Sequence, residues 1–246
     1  MKKMRGSIGI DELDGSRRAD NILGLEGDDI IYGKGGNDKL SGGDGNDYVY
    51  GGGGKDRIFG DNDDDFLFGD GGTDKLDGGA GNDILVGGSG SDILKGGDGN
   101  DKLFSITGND TMDGGDGDDY YEIGSGTVTT VDLNGNDSYK IIADSTVTID
   151  DQVGTDKLYF KDVDSSWTIS MRDLMFQRSG DDLIITVDGY KGSTTITFFY
   201  AEGDYRVERI YDEDSTAPTG YSLEIENILN LSNGDEPQRG TDLWEL

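Results

Sequence analysis

GGAGNDILVGGSGSDILKGGDGNDKLF, residues 78–104, is one nonapeptide written three times: G-G-x-G-x-D-x-U-x, with U a large apolar residue. Read outward, the period holds without insertion over residues 15–122, twelve units in all. The sixth position is Asp in every unit: Asp20, Asp29, Asp38, Asp47, Asp56, Asp65, Asp74, Asp83, Asp92, Asp101, Asp110 and Asp119. The eighth is apolar in every unit, from Ile22 to Tyr121. Position one is Gly except at Ser105, and position four is Gly except at Arg18 and Asp63. A disordered Gly/Asp linker has no reason to return an apolar residue to every ninth place.

Each unit reads as six turn residues followed by three strand residues. Glycines at positions one, two and four are expected to take φ > 0 and turn their carbonyls toward a common point. At positions seven to nine the side chains alternate, so the eighth points inward. Two units then complete one turn of a flattened helix, and each unit stacks on the next but one. This predicts an all-β fold, a parallel β-roll (β-helix) solenoid, with its loops in two columns.

The candidate metal ligands are the twelve aspartates and the position-four glycines Gly27, Gly36, Gly45, Gly54, Gly72, Gly81, Gly90, Gly99, Gly108 and Gly117. Carboxylates beside backbone carbonyls form an all-oxygen donor set, the kind Ca²⁺ takes, with no nitrogen or sulfur for zinc or copper. Six loops per column leave five gaps, and one ion per gap gives about ten Ca²⁺.

The chain has 52 acidic and 21 basic residues, a net charge of −31. Nucleic acid and anionic membrane surfaces are therefore not expected as partners, whereas about ten Ca²⁺ would bring the charge to roughly −11. Without metal the stacked carboxylates repel one another, so folding is expected to depend on the ion. Calcium sites of extracellular modules work at about 10⁻⁴ to 10⁻³ M, which points to a chain unfolded inside the cell and folded outside it. The chain contains no His and no Cys. That removes Ser-His and Cys-His catalysis, the usual zinc sites and disulfides. The loops account for almost all the carboxylates that glycosidase-type pairs would need, so no catalytic residue and no enzyme activity are expected. No apolar run is long enough to predict a membrane span.

Residues 1–14 read as a basic lead-in, and 15–122 as the repeats. In 123–158 the pattern decays but keeps register. Gly135-Asn136-Asp137 with Tyr139 falls two units after Gly117-Asp118-Asp119 with Tyr121, so Asp137, and Asp156 after it, remain candidate ligands. From 159 to 216 the composition turns β-branched and aromatic, with strands predicted at 167–171, 174–178, 183–188, 194–200 and 205–211. Residues 217–246 form a tail.

The outward positions seven and nine differ between alternate units, counted from residue 15. Odd units show polar residues such as Lys39, Arg57, Lys75 and Lys95. Even units show Ile30 with Tyr32, Tyr48 with Tyr50, Phe66 with Phe68, and Ile84 with Val86. A strand apolar on both sides is expected to be covered on both. The cover is either the segment after residue 159 or a partner, which includes an upstream domain.

The array resembles the RTX (repeats-in-toxin) family of bacterial type I secreted proteins. Phe176, Arg178, Gly180, Asp182, Leu183 and Ile185, then Ile196, Phe198, Phe199, Tyr205, Glu208 and Ile210, look like the flanking segment that follows such arrays. The resemblance implies a flank that caps the roll and promotes calcium-driven folding. It also implies contact with type I secretion machinery during export, an uncleaved C-terminal export signal in the tail, and an extracellular destination. A surface-ligand or partner-binding module of an RTX adhesin is the alternative.

Overall fold

A computed structural model describes residues 2–132, 134–142, 144–151, 154, 156–161, 174–179, 182–187, 193–196, 209–211, 222–224 and 238–239. Among these, every regular element is a strand, and no helix is long and apolar enough to cross a membrane. The chain divides into two compact units, Met1–Tyr120 and Tyr121–Leu246.

The first unit is a parallel β-roll. On one face lie β1 (Lys2–Arg5), β3 (Asp20–Glu26), β5 (Lys39–Asp44), β7 (Arg57–Asn62), β9 (Lys75–Ala80) and β12 (Ile93–Asp98). On the other lie β2 (Glu12–Asp14), β4 (Ile30–Tyr32), β6 (Tyr48–Gly54), β8 (Phe66–Gly72) and β10 (Ile84–Val86). The short β11 (Ser89–Gly90) lies in a loop, and β13 (Lys102–Asp116) spans both faces. Every pairing is parallel and shifted by two repeats, as in Ile22↔Leu40, Leu40↔Ile58 and Val49↔Leu67.

The register follows from the sequence. With one inward apolar residue per nine, two units close a turn only if each apolar side chain sits over the one two units away. Ile22, Ile31, Leu40, Val49, Ile58, Leu67, Leu85, Leu94, Leu103 and Met112 are all fully buried.

The lead-in is part of this roll. Lys2↔Asp20 and Leu13↔Ile31 carry the same pairing as the repeats. Gly6-Ser7-Ile8-Gly9-Ile10-Asp11-Glu12-Leu13-Asp14 is itself a nonapeptide, with Leu13 buried at its eighth place. Ile8 and Ile10 at its third and fifth places hid it from a reading built on loop polarity.

The glycines also differ from expectation in where the left-handed backbone falls. Positive φ falls at positions two and four, as in Gly43, Gly45, Gly79, Gly81, Gly97 and Gly99, and position-one glycines do not take it. Leu25, Lys34, Asp61, Asp63 and Asp70 occupy the same two positions and are forced to positive φ there. Position one is Gly because of what lies against it.

In the second unit β14 (Tyr120–Asp132) pairs in parallel with β16 (Thr146–Asp151), and β15 (Ser138–Ile142) with β17 (Lys157–Lys161). Partners such as Tyr139 and Leu158 are one residue further apart than in the repeats. Tyr121, Ile123, Val128, Tyr139, Val147, Ile149 and Leu158 are buried, and Tyr121 stacks on Tyr139 at 4.7 Å. The pairing then turns antiparallel. β18 (Leu174–Ser179) runs against β19 (Asp182–Val187), and β19 against β20 (Ser193–Ile196). β20 and β21 (Arg209–Tyr211) lie parallel to β16 and β17. β22 (Ser222–Glu224) and β23 (Gln238–Arg239) add antiparallel pairs to β21 and β18. The strand expected at 167–171 and the end of the tail at 241–246 fall outside the described residues.

Candidate metal centre

Each repeat loop holds its position-six aspartate inside the roll: all twelve, from Asp20 to Asp119, are at most 3% exposed. One carboxylate oxygen has a fixed task. Oδ1 of Asp47 accepts the backbone N–H of Asp29 at 2.7 Å, Oδ1 of Asp65 that of Asp47, and Oδ1 of Asp83 that of Asp65. The alternate column runs the same way through Asp38, Asp56, Asp74 and Asp92. These bonds close the stack from turn to turn.

The second oxygen is different. Oδ2 of Asp29, Asp38, Asp47, Asp56, Asp65, Asp74, Asp83 and Asp92 is buried with no hydrogen-bond partner. It lies against the position-one glycine of its own loop. A methyl group on Gly33 would come within 2.7 Å of Asp38 Oδ2, and one on Gly51 within 2.8 Å of Asp56 Oδ2. The position-one carbonyl of the next turn crowds the same space, as Gly51 O does at Gly33. Glycine leaves that space to oxygen atoms.

Backbone oxygens complete the donor set. A Cβ at Gly54, Gly72, Gly90 or Gly99 would collide with the carbonyl of the position-four glycine one turn earlier. The position-four carbonyls of each column thus stack from turn to turn.

Burying an ionised carboxylate without a counter-charge costs several kcal/mol. Burial, reinforced by neighbouring carboxylates and opposed by the N–H at Oδ1, pushes Asp38 up to about 6, Asp47, Asp74 and Asp83 to about 7, and Asp65 to about 8. Such a column needs protons or cations. At neutral pH, buried oxygens with no donor beside stacked carbonyls fit a hard divalent cation, Ca²⁺ above all.

Two of the twelve loops depart from this pattern, and both carry an exception in the sequence. In loop 15–20 Asp20 Oδ2 accepts the Ser16 N–H at 2.7 Å and Oδ1 accepts the Lys2 N–H at 2.9 Å. Burial opposes ionisation of Asp20, but the donors at Lys2 and Ser16, with the Lys2 ammonium, hold its carboxyl below the usual range. In loop 105–110 the Ser105 hydroxyl donates to Asp110 Oδ2 at 2.5 Å. Asp20 and Asp110 were expected as ligands equal to the other ten; here protein donors already serve them.

Of the glycine ligand candidates, Gly27, Gly36, Gly45, Gly54, Gly72, Gly81, Gly90, Gly99, Gly108 and Gly117 all take positive φ. In the second unit Asp137 is fully buried and its N–H donates to Asp156 Oδ1 at 2.8 Å, so the ladder recurs there. Asp132 stands at a position one in that unit, and its Oδ2 accepts the buried Tyr121 hydroxyl.

The sequence reading missed a second ladder, on the outside of the even loops. Asn46 N–H donates to Asp28 Oδ1, Asp64 N–H to Asn46 Oδ1, Asn82 N–H to Asp64 Oδ1, and Asn100 N–H to Asn82 Oδ1. The signal was present as Asn or Asp at position five of every even unit.

The family model of the RTX calcium-binding nonapeptide repeat (4 copies) matches residues 5–40, 32–67, 41–76, 68–103, 77–112 and 107–129. The chain belongs to this family. Its first unit is a calcium-binding RTX β-roll, and the first match begins ahead of residue 15, in agreement with the pairing of β1 and β2. No curated protein is a significant match to the chain.

Proposed function

We propose that this RTX roll is a calcium-operated folding switch for secretion. At low calcium the stacked carboxylates keep the chain disordered. In the extracellular medium about ten Ca²⁺ neutralise the columns, and the roll closes. The observation that carries this reading is the row of buried aspartate oxygens with no donor. Position-six carboxylates and position-four carbonyls would hold the ions, and bound calcium supplies the positive charge that the columns lack.

On this reading the chain is a non-catalytic part of a larger bacterial protein exported by type I machinery. Folding of the calcium-loaded roll outside then supports folding of what it is joined to. Residues 159–216 serve as cap, and the tail carries the export signal.

The partner-binding reading has its own observation. Tyr32, Tyr50 and Phe68 stack in one row at 5.2 and 4.8 Å, and Tyr48 stacks on Phe66 at 4.6 Å with 40% of Tyr48 exposed. An aromatic row of that kind suits a partner or an upstream domain.

Far-UV circular dichroism and hydrodynamic radius, followed while Ca²⁺ is titrated into metal-free protein with Mg²⁺ as control, test the switch. Cooperative collapse from coil to compact β with calcium alone is expected. A chain already compact in chelator would put the partner-binding reading first.

A further inference from the structure

We infer that the two loop edges of the repeat unit are unequal calcium columns, and that the even-loop edge fills first and holds its ions more tightly. The inference rests on the calcium reading above and specifies how the ions divide.

The parallel pairing stacks loops only on loops two units away, so even loops share one edge and odd loops the other. Outside position six, the even loops carry nine carboxylates and no cation, among them Glu26, Asp28, Asp44, Asp61, Asp63 and Asp64. The odd loops carry one carboxylate, Asp70, against Arg17, Arg18, Lys34 and Lys55. Part of the even set is fixed in place, because Asp28 and Asp64 belong to the outer ladder next to the buried column. On this edge Asp29, Asp47, Asp65 and Asp83 each present a buried oxygen with no donor.

The odd edge is weaker for a second reason. The carboxylates of its first and last loops, Asp20 and Asp110, are served by Ser16 and Ser105, whereas the served carboxylate of the even edge, Asp11 beside Ser7, stands ahead of the twelve loops. Ions are needed only at the loops between them.

Distances decide whether outer charges matter. Stacked loops are about 4.8 Å apart, and three strand residues separate the edges by about 10 Å. The screening length is about 8 Å at physiological salt. Each column therefore feels chiefly the charges of its own edge. Several exposed carboxylates within that range, each contributing a fraction of a kcal/mol in high dielectric, amount to about tenfold or more in Kd.

Isothermal titration of Ca²⁺ into the full chain at physiological ionic strength tests this, with circular dichroism to verify the calcium-loaded fold. The variants are exposed and near-isosteric: E26Q/D44N/D63N/D64N on the even edge and K34Q/K55Q on the odd edge. The expected result is two classes of site about tenfold or more apart. The even-edge variant should weaken the tight class several-fold, and the odd-edge variant should tighten the weak class. A single class in the unmodified chain, or an even-edge variant that moves only the weak class, would overturn the inference and leave calcium binding standing. No calcium uptake at all would overturn both.

Discussion

Loops 87–92 and 105–110 lie one turn apart on the same edge, yet they treat their aspartates differently. In the first, Gly87 leaves Asp92 Oδ2 buried with no donor. In the second, the Ser105 hydroxyl reaches Asp110 Oδ2 at 2.5 Å. Both carboxylates sit in a closed stack, and Asp92 N–H donates to Asp110 Oδ1 between them. On the calcium reading proposed above, the first loop calls for a cation where the second supplies a protein hydroxyl. The glycine at position one thus has a chemical consequence as well as a steric one: it withholds a side-chain donor from the carboxylate.

The largest effect should come from deleting an open carboxylate. Asp74→Ala is expected to raise the calcium midpoint of folding by about tenfold and to lower the bound ions, since oxygen ligand count sets affinity. Asp110→Ala should leave the ion count unchanged and cost about 1–3 kcal/mol through the stranded N–H of Asp92. Equilibrium dialysis and calcium-dependent circular dichroism separate the two; equal ion loss would erase the distinction between the loops.

Exchanging the position-one residues sharpens it. Gly87→Ser should remove one ion, because a hydroxyl 18 residues before Ser105 would serve Asp92 as Ser105 serves Asp110. Ser105→Gly should create one further calcium requirement and raise the calcium midpoint of folding, because Asp110 loses its hydroxyl donor. Native mass spectrometry counts the ions; unchanged counts in both variants would count against the hydroxyl as a replacement for calcium.

The pH dependence follows from the raised carboxylates. Asp38, Asp47, Asp65, Asp74 and Asp83 titrate at about 6 to 8 in the fold, above the usual Asp value of about 3.9. A raised folded value stabilises the protonated fold. Its contribution is complete below about pH 4 and is lost as pH rises through 6 to 8. Metal-free protein should therefore gain strand structure when acidified from pH 8 to 5, and calcium uptake at pH 6 should release protons. Circular dichroism in metal-free buffer that showed structure falling with acid would contradict this.

The smallest effect belongs to the other satisfied loop. Asp20→Asn should leave calcium stoichiometry unchanged, because the Ser16 and Lys2 N–H groups already occupy its oxygens. Loss of an ion in titration would place Asp20 among the open loops.

Much of this was legible in the sequence, and the reasons for the rest are physical. The invariant Asp and apolar eighth residue determined the roll, its inward face and its stacking, because a nine-residue period with one buried side chain has few ways to close. Position one was misjudged: Gly33 and Gly51 are selected by an aspartate oxygen and a carbonyl brought close in space, which no local propensity records. The first nonapeptide escaped because Ile8 and Ile10 stand at exposed loop positions. The charge difference between edges is written in Glu26, Asp28, Lys34 and Lys55, but it emerges only when residues are read eighteen apart. The Ser105–Asp110 bond depends on a rotamer and could not be read from the exception alone.

The most direct test is long-wavelength anomalous diffraction from calcium-saturated crystals. Calcium peaks are expected along both columns, beside Asp29, Asp47, Asp65 and Asp83 on one edge and Asp38, Asp56, Asp74 and Asp92 on the other. Columns free of anomalous density at saturating calcium would contradict the calcium reading.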